Sequence, residues 1–216
     1  MYQPPHFKET RLDVLHALVR AHPLGLLICN GPDGPMANPL PFLLVAEPAP
    51  LGRLRAHLAK ANPQWRMLAE SPDALVVFQG VDSYITPSWY ETKRETGKVV
   101  PTWNYAIVQV RGRVRVMDDA NWLAGQIAEL TATHEATRAE PWHVTDAPDA
   151  YVAAQIKGIV GLEIEIASIE GKWKVSQNRP VADRVGVAEG LEAENPSPQR
   201  TEMARLVRKF GGLADE

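Results

Sequence analysis

The 216-residue chain contains one cysteine, Cys29. A lone thiol excludes an internal disulfide framework and any cysteine-based zinc site, and it suits a reducing cytosol. No run of about 18 apolar residues is present, so nothing is expected to span a membrane. The opening Met1-Tyr2-Gln3-Pro4-Pro5-His6 lacks the basic start and apolar core of a signal peptide. Neither charge sign dominates. With 23 basic and 26 acidic residues the net charge is -3, which argues against a generally basic nucleic-acid binder and leaves room only for a local basic face. Common catalytic signatures are missing too: there is no G-x-S-x-G, P-loop, H-E-x-x-H or G-x-G-x-x-G. The six histidines (His6, His16, His22, His57, His134 and His143) show no metal-ligand spacing. Cys29 lies in an apolar run, the setting of a buried, inert thiol.

What is present is an ordinary globular composition, 45% apolar and 23% charged. A chain of this length buries roughly 70% of its unfolded surface and needs no covalent staples. Fifteen glycines and 18 prolines point to many turns and short elements.

Leu12, Leu15, Leu18 and Val19 predict an amphipathic helix over residues 8–22, with Thr10 as cap and Pro23 as stop. Leu24–Cys29 and Leu40–Val45 read as strands joined through Gly31-Pro32-Asp33-Gly34. Arg53–His57 is a third strand, and Asn62-Pro63 opens a short helix ending near Ala69. Ala74–Gln79 is β-rich, residues 91–98 read as a mobile polar loop, and Asn104–Met117 as a long strand. Gly112 suggests a bulge or bend in that strand. Helices are expected over Asp119–Thr131, capped by Asp118, and over Ala150–Lys157. Leu162–Ile166 alternates as a strand, Glu170-Gly171 turns into Trp173–Gln177, and Thr201–Phe210 forms a last helix. Strands clustered as hairpins with helices between them favour a mainly β, α+β fold: an antiparallel barrel with peripheral helices.

Three segments carry candidate chemistry. In His57-Leu58-Ala59-Lys60-Ala61-Asn62-Pro63 a strand end delivers His57 and Lys60 to a helix start at Asn62, a sensible place for a phosphate. In Pro101-Thr102-Trp103-Asn104-Tyr105 two aromatics flank an amide, which suits stacking on a planar ring and bonding its edge; packing of a barrel core is the other use of such residues. In Trp173-Lys174-Val175-Ser176-Gln177-Asn178-Arg179 the run of hydrogen-bonding residues either faces water or holds something polar, and Arg179 suits a phosphate or a carbonyl-rich ring edge. Together they suggest a planar, phosphorylated ligand such as FMN.

At these residues the chain resembles the FMN-binding negative transcriptional regulator family, the PaiB-like proteins. The matching blocks are Met1-Tyr2-x-Pro4-x-x-Phe7, His22-Pro23, Asn38-x-Leu40-Pro41-Phe42, His57 to Pro63, Phe78-Gln79-Gly80, Tyr84-Ile85-x-Pro87-Ser88-Trp89-Tyr90, Val100 to Tyr105, and Gly171-Lys172-Trp173-Lys174-x-Ser176-Gln177-Asn178-Arg179. The resemblance implies a split β-barrel related to pyridoxamine-phosphate-oxidase-like flavoproteins, a homodimer, and FMN at the subunit interface. It places the phosphate on Lys60 and, through the wider superfamily, Trp173 and Arg179 at the flavin or substrate. The expected cofactor-binding set is therefore His57, Lys60, Asn62, Trp103, Asn104, Tyr105, Trp173, Ser176, Gln177 and Arg179, with no metal. The expected organisation is a barrel domain over 1–188, an acidic linker over 189–198 and a C-terminal helix and tail over 199–216.

Three functions follow. The chain is a cytoplasmic, flavin- or ligand-responsive regulator, or a flavin-dependent oxidoreductase on a small molecule, or a repressor that touches DNA directly. For the second, Tyr84, Lys93, His143 and Arg179 are substrate-side candidates, but no acid/base pair is identifiable. For the third there is no helix-turn-helix pattern; Arg200, Arg205, Arg208 and Lys209 on the last helix are the available cations.

Overall fold

Proline and glycine cut the first third of the chain into short pieces, and long uninterrupted strands follow. The computed structural model describes residues 1–213. In chain order the elements are β1 (Lys8–Glu9), α1 (Leu12–Ala21), β2 (Leu24–Gly31), β3 (Gly34–Pro41), β4 (Leu43–Val45), β5 (Arg53–Ala59) and α2 (Gln64–Glu70). Then come β6 (Asp73–Ile85), α3 (Glu91–Thr96), β7 (Thr102–Met117), α4 (Ala120–Glu135), α5 (Asp149–Lys157), β8 (Ile159–Lys174), α6 (Val181–Ala193) and α7 (Pro198–Gly211). The sheet order is β3-β2-β6-β7-β8-β5-β4, with β1 also paired to β8. The pairs β1/β8, β2/β3, β2/β6, β4/β5 and β5/β8 are antiparallel.

The chain forms two compact units. Unit 1 comprises Met1–Leu18, Gln79–Val108 and the described chain from Glu170 on; unit 2 comprises Val19–Phe78 and Gln109–Ile169. Unit 2 buries Leu27, Leu54, Val76, Phe78, Leu162 and Ile164, with Phe42 edge-on to Phe78 at 5.7 Å. Unit 1 buries Leu15, Ile85, Val175, Val187, Leu191, Met203 and Val207, and its last two helices, α6 and α7, pack together.

Several local expectations give way to longer-range forces. Residues 8 and 9 are drawn into pairing with β8 at Lys172 and Gly171, so the first helix starts later. The Glu9 carboxylate, not Thr10, receives the freed Thr10 and Arg11 N–H groups. The β2/β3 hairpin turns on Pro32-Asp33, so the second strand is 34–41. Its prolines 35, 39 and 41 are tolerated because β3 is an edge. Residues 91–96 are helical and end on Gly97 at φ 68°, a left-handed stop that glycine takes without strain. Asp119 rather than Asp118 caps α4, accepting from the Trp122 N–H at 2.8 Å. There is no turn at Glu170-Gly171: β8 runs straight through, exchanging β5 for β1 as partner. The expected linker 189–198 is corrected as well, since 189–193 finish α6. The short connection that remains ends at Ser197, which caps α7 by accepting from Arg200 N–H. Of the expected tail, residues 214–216 lie outside the described residues.

Gly112 marks close strand approach. A Cβ there would sit 2.3 Å from the Glu165 carbonyl oxygen. Glu163, one residue out of phase with its apolar neighbours, is also buried, because Arg55 and Arg115 close over it at 2.9 and 2.5 Å. Burial alone would raise its carboxyl; the two guanidiniums outweigh that and hold it below the usual carboxylate range.

Two consequences are measurable. Gly112→Ala should lower the unfolding free energy by ~1–3 kcal/mol through overpacking against backbone; an unshifted denaturation midpoint would mean the strands stand farther apart. Because Glu163 is depressed in the folded state, its contribution is present above the unfolded carboxylate value and lost as pH falls through the folded one. Glu163→Gln should therefore cost ~1.5–3 kcal/mol at neutral pH, the scale of charged hydrogen bonds. The gap to wild type should close below pH ~4. A gap independent of pH would exclude the ionised carboxylate as its source.

Candidate functional site

In unit 2, β5 ends by delivering His57, Lys60 and Asn62 in sequence. His57 Nδ1 lies 2.8 Å from Gln126 Oε1 on α4. Lys60 Nζ pairs with Asp118 Oδ1 at 2.7 Å, and both side chains are more than a third exposed. Asn62 Oδ1 accepts from Gln64 N–H at 3.0 Å, the cap that the Asn-Pro pair promises. With seven residues, α2 has only a small dipole, so the anion-attracting charge here is that of Lys60.

Gln126 carries no expectation from sequence, and Asp118 only that of a helix cap. Gln126 is nearly fully buried, and its Nε2 has no hydrogen-bond partner among the described residues. A signal existed: Gln126 stands three residues after Leu123 and four before Leu130, inside the apolar stripe of α4. An orphaned buried donor beside His57 fits a group rich in acceptors, as a phosphate and its ribityl chain are.

Unit 1 holds the other seven expected residues, and four of them are occupied by their own chain. Asn104 is buried, with Nδ2 donating to Ser176 Oγ at 2.9 Å. That bond anchors Ser176 at φ 66°, an unusual conformation for a non-glycine residue. Gln177 bridges the Val175 N–H and the Trp173 carbonyl. Trp173 is buried and stacked on Phe210 at 5.8 Å. These four shape the turn after β8.

The remaining three present free surface. Trp103 is exposed and edge-on to Tyr84 at 6.0 Å. Tyr105 shares a cavity of about 300 Å³ with Gln79, Asp82, Trp103 and Ile107. Arg179 lies 4.7 Å over the ring of Tyr90, a buried phenol whose hydroxyl has no geometric hydrogen bond among the described residues and which burial pushes upward. Of the substrate-side candidates, Tyr84 and Arg179 fall in unit 1. Lys93 bonds Ser88 at its surface, and His143 in unit 2 caps a single turn with Asp146. Among the described residues no cluster of His, Cys, Asp and Glu is arranged to hold a metal, and no helix is long and apolar enough to cross a membrane.

Comparison with known proteins agrees with this chemistry. Residues 1–168 match the family described as "Putative FMN-binding domain". An uncharacterized protein of Emericella nidulans is 36% identical over 251 residues, covering 100% of both chains. The "Protease synthase and sporulation protein PAI 2" of Bacillus subtilis is 31% identical over 207 residues, covering 96% of each. Among solved structures, an FAD and heme binding protein from Mycobacterium smegmatis superposes with a TM-score of 0.58 at 19% identity, covering 77% of this chain and 73% of that one. That likeness concerns the fold, which is the split barrel of flavoproteins. The cofactor is FMN, and the chain belongs to the FMN-binding, PaiB-like family.

Proposed function

We propose that the protein is a homodimeric, FMN-loaded regulator whose state answers to a small ligand. The observation that carries the reading is in unit 2: an accessible lysine at a strand end, close in sequence to a histidine whose buried glutamine partner has an unmet donor. Lys60 supplies the charge for the phosphate. Its pairing with Asp118 is exposed and of little energetic weight, so a dianion displaces it. Gln126 donates to the neighbouring acceptors while His57 holds its Oε1, and the Asn62 amide N–H₂, which has no partner among the described residues, donates as well. FMN supplies a redox-active ring when bound. Trp103, Tyr105 and Arg179 are the unit 1 residues left open to a ligand, while Asn104, Trp173, Ser176 and Gln177 act by holding the turn.

A regulatory role fits better than turnover, because no acid/base pair stands out around either group of residues. The name of the Bacillus relative refers to cellular processes, protease synthesis and sporulation, rather than to a substrate. On the last helix Arg205 pairs with Glu202, Arg208 with Glu192, and Arg200 packs on Trp89, so carboxylates on its own surface offset part of its positive charge. A second copy of the chain is supported by β2 and β3, where Leu24, Leu26 and Pro39 form an exposed apolar strip.

Lys60→Ala should weaken FMN by ~1.5–3 kcal/mol, the worth of a charge-assisted bond, and should leave riboflavin, which lacks the phosphate, unaffected. An unchanged FMN dissociation constant would remove Lys60 from the site. In light scattering the protein should have twice the chain mass, and Leu26→Lys should halve it; a wild-type monomer that retains flavin would refute the dimer.

A further inference from the structure

Unit 1 concentrates positive charge on β8 that forms no ion pair among the described residues. Lys172 is nine-tenths buried, yet among the described residues its ammonium has neither an ion pair nor a hydrogen-bond acceptor. It lies between two aromatic faces, 5.5 Å from the centroid of Tyr2 and 5.4 Å from that of Tyr105. Lys8 stands directly opposite it across the β1/β8 pair, and like charges so placed repel. Lys174, on the same side of β8, sits 5.9 Å from the same Tyr105 ring and donates to Thr102 Oγ1 and the Trp103 carbonyl. Glu170, two residues before Lys172, is engaged by the Met1 ammonium, and Asp82 at the cavity by Gln79 and Gln199. Burial pushes the Lys174 ammonium below the usual lysine range, with Lys172 and Arg179 adding to it.

Cations held this close together, two of them against one aromatic ring, make a local positive field that attracts an anion. Here the cations flank an aromatic face, Tyr105, that also walls the 300 Å³ cavity shared with Trp103. We propose that Lys172 and Lys174, with Tyr105 and Trp103, form a binding site for a planar aromatic acid: the carboxylate is held by the two ammonium groups and the ring lies against the two aromatics. This deepens the regulatory reading, on which it rests, by naming the chemistry of the ligand that the FMN-loaded protein senses.

The test is calorimetric titration of the full-length, FMN-loaded protein with 2-naphthoate and with its neutral analogue 2-naphthalenemethanol, with flavin fluorescence followed in parallel. Naphthoate should bind at least tenfold more tightly than the alcohol while FMN stays bound. Lys172→Met should lose at least tenfold of the naphthoate affinity, with the alcohol and FMN unaffected, and Lys172→Arg should retain most of it. Equal affinity of the two probes in the wild type, which needs no variant to fold, would overturn the site. So would release of FMN by naphthoate, which would make the flavin the occupant of these lysines. Failure of Lys60→Ala to weaken FMN would strike the phosphate assignment alone and leave this result standing.

Discussion

The length of β8, a single strand from Ile159 to Lys174 with a different partner at each end, is the constraint on which the remaining features depend. Its first half pairs with β5, so that Gly161 lies opposite His57 and Glu163 opposite Arg55. Its second half pairs with β1 and carries Lys172, Trp173 and Lys174 to the turn at Ser176. Both faces of the strand are covered near its two ends, where 160–164 and 171–173 are buried in succession, and its middle is more open. The strand itself is held in place by close approach. Gly112 admits the Glu165 carbonyl, and Gly161 admits the Trp122 ring, with a Cβ there only 2.2 Å from it.

Charge is handled differently in the two units. In unit 2 the buried Glu163 is met by two guanidiniums, a compensated arrangement that serves stability. In unit 1 Lys172 lies against the Tyr2 and Tyr105 rings with no ion pair among the described residues, and Glu170 is engaged by the Met1 ammonium. Cation–π contacts contribute about 0.5–2 kcal/mol and do not replace the hydration or pairing of an ammonium. The first pattern serves the scaffold, and the second is the one on which the proposed anion site rests.

The apolar patterns made much of this legible. Alternation in residues 104–117 and 162–166 identified the long strands, and the Asn62-Pro63 step identified the start of α2. What the sequence hid depends on contacts distant along the chain. The two-residue β1 has no periodicity and exists only because β8 offers it an edge. Helix α6 absorbs part of an acidic stretch that reads as a linker, because Gly186 and Gly190 let Trp89 press against it; a Cβ on Gly190 would lie 2.4 Å from the indole. Among the site residues, Lys60 and Tyr105 are accessible as their sequence context suggests. Trp173 and Asn104 are not, since an aromatic or an amide at a strand end reads the same whether it meets a ligand, Phe210 or Ser176.

Two buried glutamines in unit 2 show why the unmet donor of Gln126 is informative. Gln64 has both ends of its amide satisfied: Asn38 donates to Oε1 at 3.0 Å, and Nε2 donates to the Leu27 carbonyl at 3.0 Å. Such a residue locks α2 onto β2 and β3 and asks for nothing further. Gln126 is as deeply placed, but only its Oε1 is engaged, by His57. Leaving the second end bare costs about 1–3 kcal/mol, and a leucine in the same stripe would avoid that cost. A polar residue kept there, touching a histidine three positions before Lys60, makes sense if the missing acceptor arrives with a ligand. The contrast lies between two glutamines of one unit: Gln64 is fully paired and serves packing, while Gln126 is half-paired beside residues suited to a phosphate.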